Sequence, residues 1–182
     1  SIQIRNATEL DETIAHEIMH YTEPFLPDEI KKEIHNEWYS NLKKLCKQVR
    51  GDQKGYVNPQ LEALEYVRDN AADPLAGLKA NSNGALTGKF YHYVNPYEYF
   101  AQVGAHLIEK WKDENPTMPL SDTLTAWYAG MFFSSTGKEP DIKGMRDRKN
   151  ESGYRNYDYQ YKQSYAAVLK AMNLLSSGKI PD

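Results

Sequence analysis

Hydrophobic positions along the chain recur mostly at three- and four-residue spacing, the period of a helix that buries one face. Leu10, Ile14, Ile18 and Tyr21 make such a stripe over Leu10 to Thr22, and Pro24 stops it. A second stripe of Ile30, Ile34, Trp38, Leu42, Leu45 and Val49 starts near Pro27-Asp28, and Gly51 and Gly55 punctuate its end. Leu61, Leu64 and Val67 predict a third helix over Pro59 to Asn70, and Asp73-Pro74 opens a short fourth piece. Residues 81–88 are polar and turn-rich. Lys89 to Val94 then alternates aromatic and polar side chains, the pattern of an edge strand. Asn95 suits an N-cap and Pro96 a first helical position, so a helix is expected there with Phe100, Val103, Gly104, Leu107, Ile108 and Trp111 inward. Ser121-Asp122 predicts another helix through Phe133, residues 134–153 a polar loop, and a last helix runs from about Tyr157 to Leu175. The expected fold is one domain over residues 1–182, mainly α with a small β component.

Composition narrows the function classes. The chain has 182 residues, 40% of them hydrophobic, enough to bury a sizeable core. Its 22 basic and 25 acidic residues leave a net charge of -3, which offers no footprint for nucleic acid. No apolar run approaches the roughly 20 residues of a membrane span. A single cysteine, Cys46, excludes a disulfide framework and reads as a small core residue in the second stripe. Tyr154, Tyr157, Tyr159, Tyr161 and Tyr165 are expected to pack at a helix boundary, with a recognition surface as the alternative. No feature of the pattern specifies an oligomeric state.

Chemistry is concentrated in His16-Glu17-Ile18-Met19-His20, an H-E-x-x-H sequence on the first predicted helix. Histidines four residues apart stand one above the other on a helix face, so both can reach one metal ion. Glu17 is rotated about a quarter turn away, where it can take a proton from an activated water instead of binding the metal. The two histidines point away from the Leu10, Ile14, Ile18 stripe and are expected to line a cleft beside the core.

Two histidines hold zinc poorly, and a third protein ligand is expected. Position 26, where a three-histidine pattern would continue, is Leu26. Asn36-Glu37-Trp38-Tyr39-Ser40 is similar to the N-E-x-x-S pattern of thermolysin-type enzymes. If the first two helices pack antiparallel, however, Glu37 lies roughly 7 Å too deep along the axis. Glu98 stands at the third position of the helix opened by Asn95, where it is equally a capping-box glutamate or a cleft-facing ligand. Tyr91, Tyr93 and His92 lie close enough in sequence to compete as the donor to a developing oxyanion. Gln102, one turn after Glu98, is expected to be solvated, with support of Glu98 or a histidine as the alternative.

His16 to His20 and Tyr91 to Ala101 together resemble the glutamate-ligand zinc metalloproteases, or gluzincins, of the anthrax lethal factor type, which include small secreted bacterial endopeptidases. In that family a tyrosine precedes the ligand glutamate by seven residues, and two aromatics and an alanine follow it. Tyr91, Glu98, Tyr99, Phe100 and Ala101 match in order. The resemblance implies a zincin-like catalytic domain with Zn2+ on His16, His20 and Glu98, Glu17 as general base and Tyr91 as transition-state stabiliser. It also implies an endopeptidase acting on a protein or peptide substrate, and a bacterial effector or toxin that is secreted or delivered to a host cytosol. The match covers about 16 residues in two patches. Between His20 and Glu98 lie 77 residues, considerably more than the family usually has, and only 15 precede His16, where zincin folds place a sheet. The expectation is therefore a fragment lacking part of the N-terminal sheet, or a reduced fold. A non-catalytic helical interaction module with a vestigial or structural metal site is the alternative reading, and a zinc hydrolase of a small substrate is a third.

Overall fold

The computed structural model describes residues 7–53, 58–114 and 165–177. These are mostly helical. In chain order they form α1 (Ala7–Thr22), a 3-10 turn (Glu23–Phe25), α2 (Asp28–Gln53), α3 (Pro59–Asp69), α4 (Ala76–Ala80), a 3-10 segment (Gly88–Tyr93), α5 (Pro96–Glu114) and α6 (Ala166–Ser177). The helix expected from Ser121, the loop at 134–153 and the tyrosines 154, 157, 159 and 161 lie outside the described residues.

The helix starts follow local chemistry. Asn58 accepts the Gln60 N–H at 2.8 Å, with Pro59 as the first residue of α3. Asn95 accepts the Glu98 N–H at 2.8 Å, with Pro96 opening α5. Pro27 O receives the Ile30 and Lys31 N–H groups, and Asp28 and Glu29 place negative charge in the first turn of α2.

No strand occurs among the described residues, and the one expected at Lys89 to Val94 is not formed there. Lys89 to Val94, expected as an edge strand, falls in the 3-10 segment and the residue that follows it. Phe90 N–H bonds Thr87 O at 3.1 Å and Val94 N–H bonds Tyr91 O at 3.2 Å, so the segment satisfies its backbone locally. Its aromatics do not alternate between core and solvent: Phe90, His92, Tyr93 and Val94 are all buried, and Tyr91 is partly so. The alternation in sequence is real, but helices α3 and α5 cover the segment where a sheet edge would be open on one face.

The buried face of α1 also differs from the expected stripe. Ala15, Met19 and Thr22 are buried, Ile14 and Ile18 are only partly so, and Tyr21 is 72% exposed. The reason is the partner. α1 packs chiefly against α5, and small buried residues on both helices (Ala15 on α1; Ala101, Gly104 and Ala105 on α5) suit a close approach. A Cβ on Gly104 would run into the Met19 side chain. The second stripe is buried as expected, from Ile30 to Val49, together with Cys46, whose thiol burial pushes up to about 11.

α4 sets the level of the α5 N-terminus. A Cβ on Gly77 would collide with the backbone carbonyl of Val94, two residues before Pro96. Because backbone cannot swing aside as a side-chain tip can, Gly77→Ala is expected to destabilise the fold by about 1–3 kcal/mol. Chemical denaturation against wild type measures it, and an unchanged midpoint would show that α4 is not in tight contact there.

Candidate metal centre

The α1–α5 contact brings three side chains to one point. His16 and His20 stand one turn apart on the flank of α1, about a quarter turn round from the buried Ala15 and Met19. Glu98 reaches them from the first turn of α5. His16 Nε2 and His20 Nε2 are 3.0 Å apart. Glu98 Oε2 lies 3.1 Å from His16 Nε2, and Glu98 Oε1 lies 3.1 Å from His20 Nε2. The side chains are 15%, 28% and 18% exposed for His16, His20 and Glu98, so the cluster is sheltered but reachable from solvent.

Gln102, one turn along α5 from Glu98, decides the state of His16. Its Oε1 lies 2.6 Å from His16 Nδ1. An amide oxygen only accepts, so Nδ1 carries the proton and, in the neutral ring, Nε2 turns a lone pair toward Glu98. Glu98 Oε2 is buried and receives no well-formed hydrogen bond among the described residues. The centre thus gathers lone pairs with too few protons between them. That is the donor set a cation satisfies. A tetrahedral zinc about 2.0–2.1 Å from each ligand spaces the ligand atoms about 3.3 Å apart, close to the separations present here. His16, His20 and Glu98 therefore fit a divalent ion such as zinc. The geometry is not specific to that element.

Electrostatics agree. Burial works against the Glu98 carboxylate, but when the imidazoles are protonated in metal-free protein their N–H groups and positive charge hold it down to about 2. His20 is raised above its ordinary value by its bond to Glu98, with burial opposing and the charge of Glu17 assisting. Glu17 is exposed beside the cluster, near enough for its charge to act on both His20 and Tyr91. The Tyr91 ring sits 6.5 Å from that of His16, centroid to centroid. Burial pushes its hydroxyl pKa up, and the Glu98 charge and bond add to that, so it stays protonated and able to donate.

The other acid considered, Glu37, points elsewhere. Its Oε2 accepts from Tyr99 Oη–H at 2.8 Å and its Oε1 from the Ala167 N–H at 2.7 Å. Asn41 Nδ2 donates to the same Tyr99 oxygen at 2.9 Å. Glu37 thereby caps the N-terminus of α6 from across the core. The antiparallel α1–α2 register does not describe the molecule, since α1 packs chiefly on α5. His92 and Tyr93 are fully buried. The residue that spacing undervalued is Gln102: its i+4 relation to Glu98 was the available signal, and only the contact with His16 reveals its partner.

Comparison of the chain with protein-family models, curated proteins and solved structures finds no match in any of the three. What the centre does must be argued from its own chemistry.

Two outcomes follow. In metal-free protein the Glu98 contribution to stability is present above about pH 4.5 and is lost as pH falls toward about 2. The His20 contribution is complete below about pH 6.5 and is lost as pH rises through its raised value. Metal-free stability in denaturant is thus expected to be greatest between about pH 4.5 and 6.5, while metal affinity increases above that window as His20 loses its proton. Replacing Gln102 by Leu is expected to weaken zinc about 10- to 100-fold by freeing the His16 ring. Competition with a chromophoric chelator reads this directly, and unaltered affinity would remove Gln102 from the centre.

Proposed function

We propose that this chain is a zinc-dependent endopeptidase of the glutamate-ligand type, with α1 and α5 as the helical part of a zincin-like catalytic domain. The observation that carries the reading is the convergence of His16, His20 and Glu98, an H-E-x-x-H pair and a distant acid that meet within hydrogen-bonding distance. Glu17 supports it by lying near enough for its charge to act on His20 and Tyr91, and Tyr91 by keeping its proton beside His16.

His16, His20 and Glu98 would hold the ion, which supplies Lewis-acid activation of water and of the scissile carbonyl. Gln102 keeps the His16 ring in the tautomer that presents Nε2. Glu17, exposed at the lip, takes the proton of the attacking water and returns it to the leaving amine. Tyr91 keeps its proton and donates a hydrogen bond to the oxyanion of the tetrahedral intermediate. The substrate is a protein or peptide, and the lethal factor-type resemblance favours a bacterial effector or toxin. Among the described residues no helix is long and apolar enough to cross a membrane.

Metal analysis and cleavage of a peptide library test this in sequence. Wild type is expected to retain about one zinc per chain and His16→Ala none. Glu17→Gln should keep the metal and lose about 10²- to 10⁴-fold in kcat, and Tyr91→Phe should lose about 10²- to 10³-fold. Zinc absent from wild type would remove the enzyme reading. Bound zinc without cleavage would leave a helical module with a structural metal.

A further inference from the structure

Glu98 can serve as a ligand only if α5 presents it at the right rotation. A carboxylate carried about 6 Å from a helix axis moves by about 1 Å for each 10° of turn about that axis. Metal–ligand distances tolerate departures of only about 0.2 Å. The seating of Met19 against Gly104 sets how closely α1 and α5 approach. Apolar contact is not directional, however, and leaves the rotation loosely defined. The missing constraint has to come from a directional contact elsewhere on α5.

Tyr99 makes such a contact. It follows Glu98 directly, projects about 100° round α5 from it, and is fully buried. Its hydroxyl donates to Glu37 Oε2 at 2.8 Å and accepts from Asn41 Nδ2 at 2.9 Å, both on α2. A hydroxyl has one proton to give, so the two bonds commit that proton and fix the oxygen from two sides. Asn41 is 2% exposed, so no solvent stands ready to replace the bond it makes. Glu37 is itself restrained, because its other oxygen accepts the Ala167 N–H of α6 at 2.7 Å. The first turn of α5 is thereby tied at a buried point to α2, and through Glu37 to α6.

The Tyr99 ring adds a second restraint. It lies 6.3 Å from the rings of His92 and Tyr93 and 6.2 Å from that of Tyr165, centroid to centroid. His92 and Tyr93 are fully buried and follow Tyr91 in the 3-10 segment. One side chain therefore packs on the segment that carries Tyr91 while standing next in the chain to Glu98.

We propose that Tyr99 is a positioning residue for Glu98: its hydroxyl, clamped between Glu37 and Asn41, fixes the rotation of α5 at which the carboxylate meets His16 and His20. Glu37, turned away from the centre, acts on it through Tyr99. The inference rests on the metal centre and not on the reaction assigned to it.

Three variants of the full chain test this. Tyr99→Phe keeps the ring and removes the hydroxyl. Glu37→Gln keeps the shape but leaves one acceptor oxygen for two donors. Val49→Ala thins the core about 18 Å along α2 from Glu37 and serves as the purely structural comparison. All three are expected to lower the denaturation midpoint. Well below that midpoint, Tyr99→Phe is expected to weaken zinc about tenfold in competition with a chromophoric chelator, the low end of what loss of a ligand's support costs. Glu37→Gln should weaken it in the same direction. Both should alter the visible absorption of the cobalt(II)-loaded protein, and Val49→Ala should alter neither readout. Zinc affinity and cobalt spectrum unchanged in Tyr99→Phe and Glu37→Gln, or weakened equally in Val49→Ala, would overturn the role. The ring ¹H–¹⁵N resonances of His16 and His20 in metal-free protein give a readout that needs no ion. If wild type takes up no zinc, the metal reading falls, and these resonances still decide the positioning role. Their displacement in Tyr99→Phe and Glu37→Gln but not in Val49→Ala supports it, and resonances unmoved in the first two overturn it.

Discussion

Two imidazoles and a carboxylate are held about 3 Å apart by the packing of one helix on another, and that enforced proximity is the constraint on which the rest depends. Left to themselves the lone pairs of His16 and His20 would separate from each other and from Glu98. The α1–α5 contact prevents it, because Met19 is seated against Gly104 and Ala15 is buried on the same helix. Interiors are packed too densely for the helices to drift apart by an ångström without opening a void. The electrostatic cost is therefore offset by burial of apolar surface a residue away, and a proton or a cation at the centre relieves it.

Glu37 is another partly buried carboxylate, and its contrast with Glu98 shows how environment assigns roles. Glu37 and Glu98 both lose hydration. Burial dominates at Glu37 and raises its pKa, even though Tyr99 and the α6 backbone bond to it. At Glu98 the two imidazoles prevail and the carboxyl is held low. Glu37 ends a helix dipole and ties α2, α5 and α6 together through Tyr99, whereas Glu98 is left with an oxygen still seeking a partner. One acid ties helices together, and the other stands within hydrogen-bonding distance of two imidazoles.

The α5 helix consequently serves two faces. Glu98 and Gln102 on one side meet α1, and Pro96 and Phe100 on the other line an apolar cavity. Its position is set at the N-terminus by Asn95, by the collision that Gly77 avoids with Val94, and by the 3-10 segment that delivers Tyr91. A displacement of that terminus would be felt at both faces.

Helices α2, α3 and α5 were legible because their starts are local chemistry, with Asn58-Pro59 and Asn95-Pro96 as cap and first residue and Asp28 behind Pro27, and because the Ile30 to Val49 stripe is a long, clean period. The stacking of His16 and His20 was legible for the same reason, since a four-residue spacing on a helix is geometry that needs no other part of the chain. Glu98 could be shortlisted but not separated from a plain capping residue, as both roles place it at the same position. What required the tertiary structure was everything that depends on a neighbour. The Lys89 to Val94 alternation became a 3-10 segment because helices, not strands, flank it. The buried face of α1 turned from Ile14 and Ile18 to Ala15 and Met19 because α5 is its partner. Glu37 became a cap and Gln102 a support for His16 because residues far away in sequence arrive beside them. Spacing along one helix is dictated by backbone geometry, but which faces meet is decided by packing summed over the whole chain.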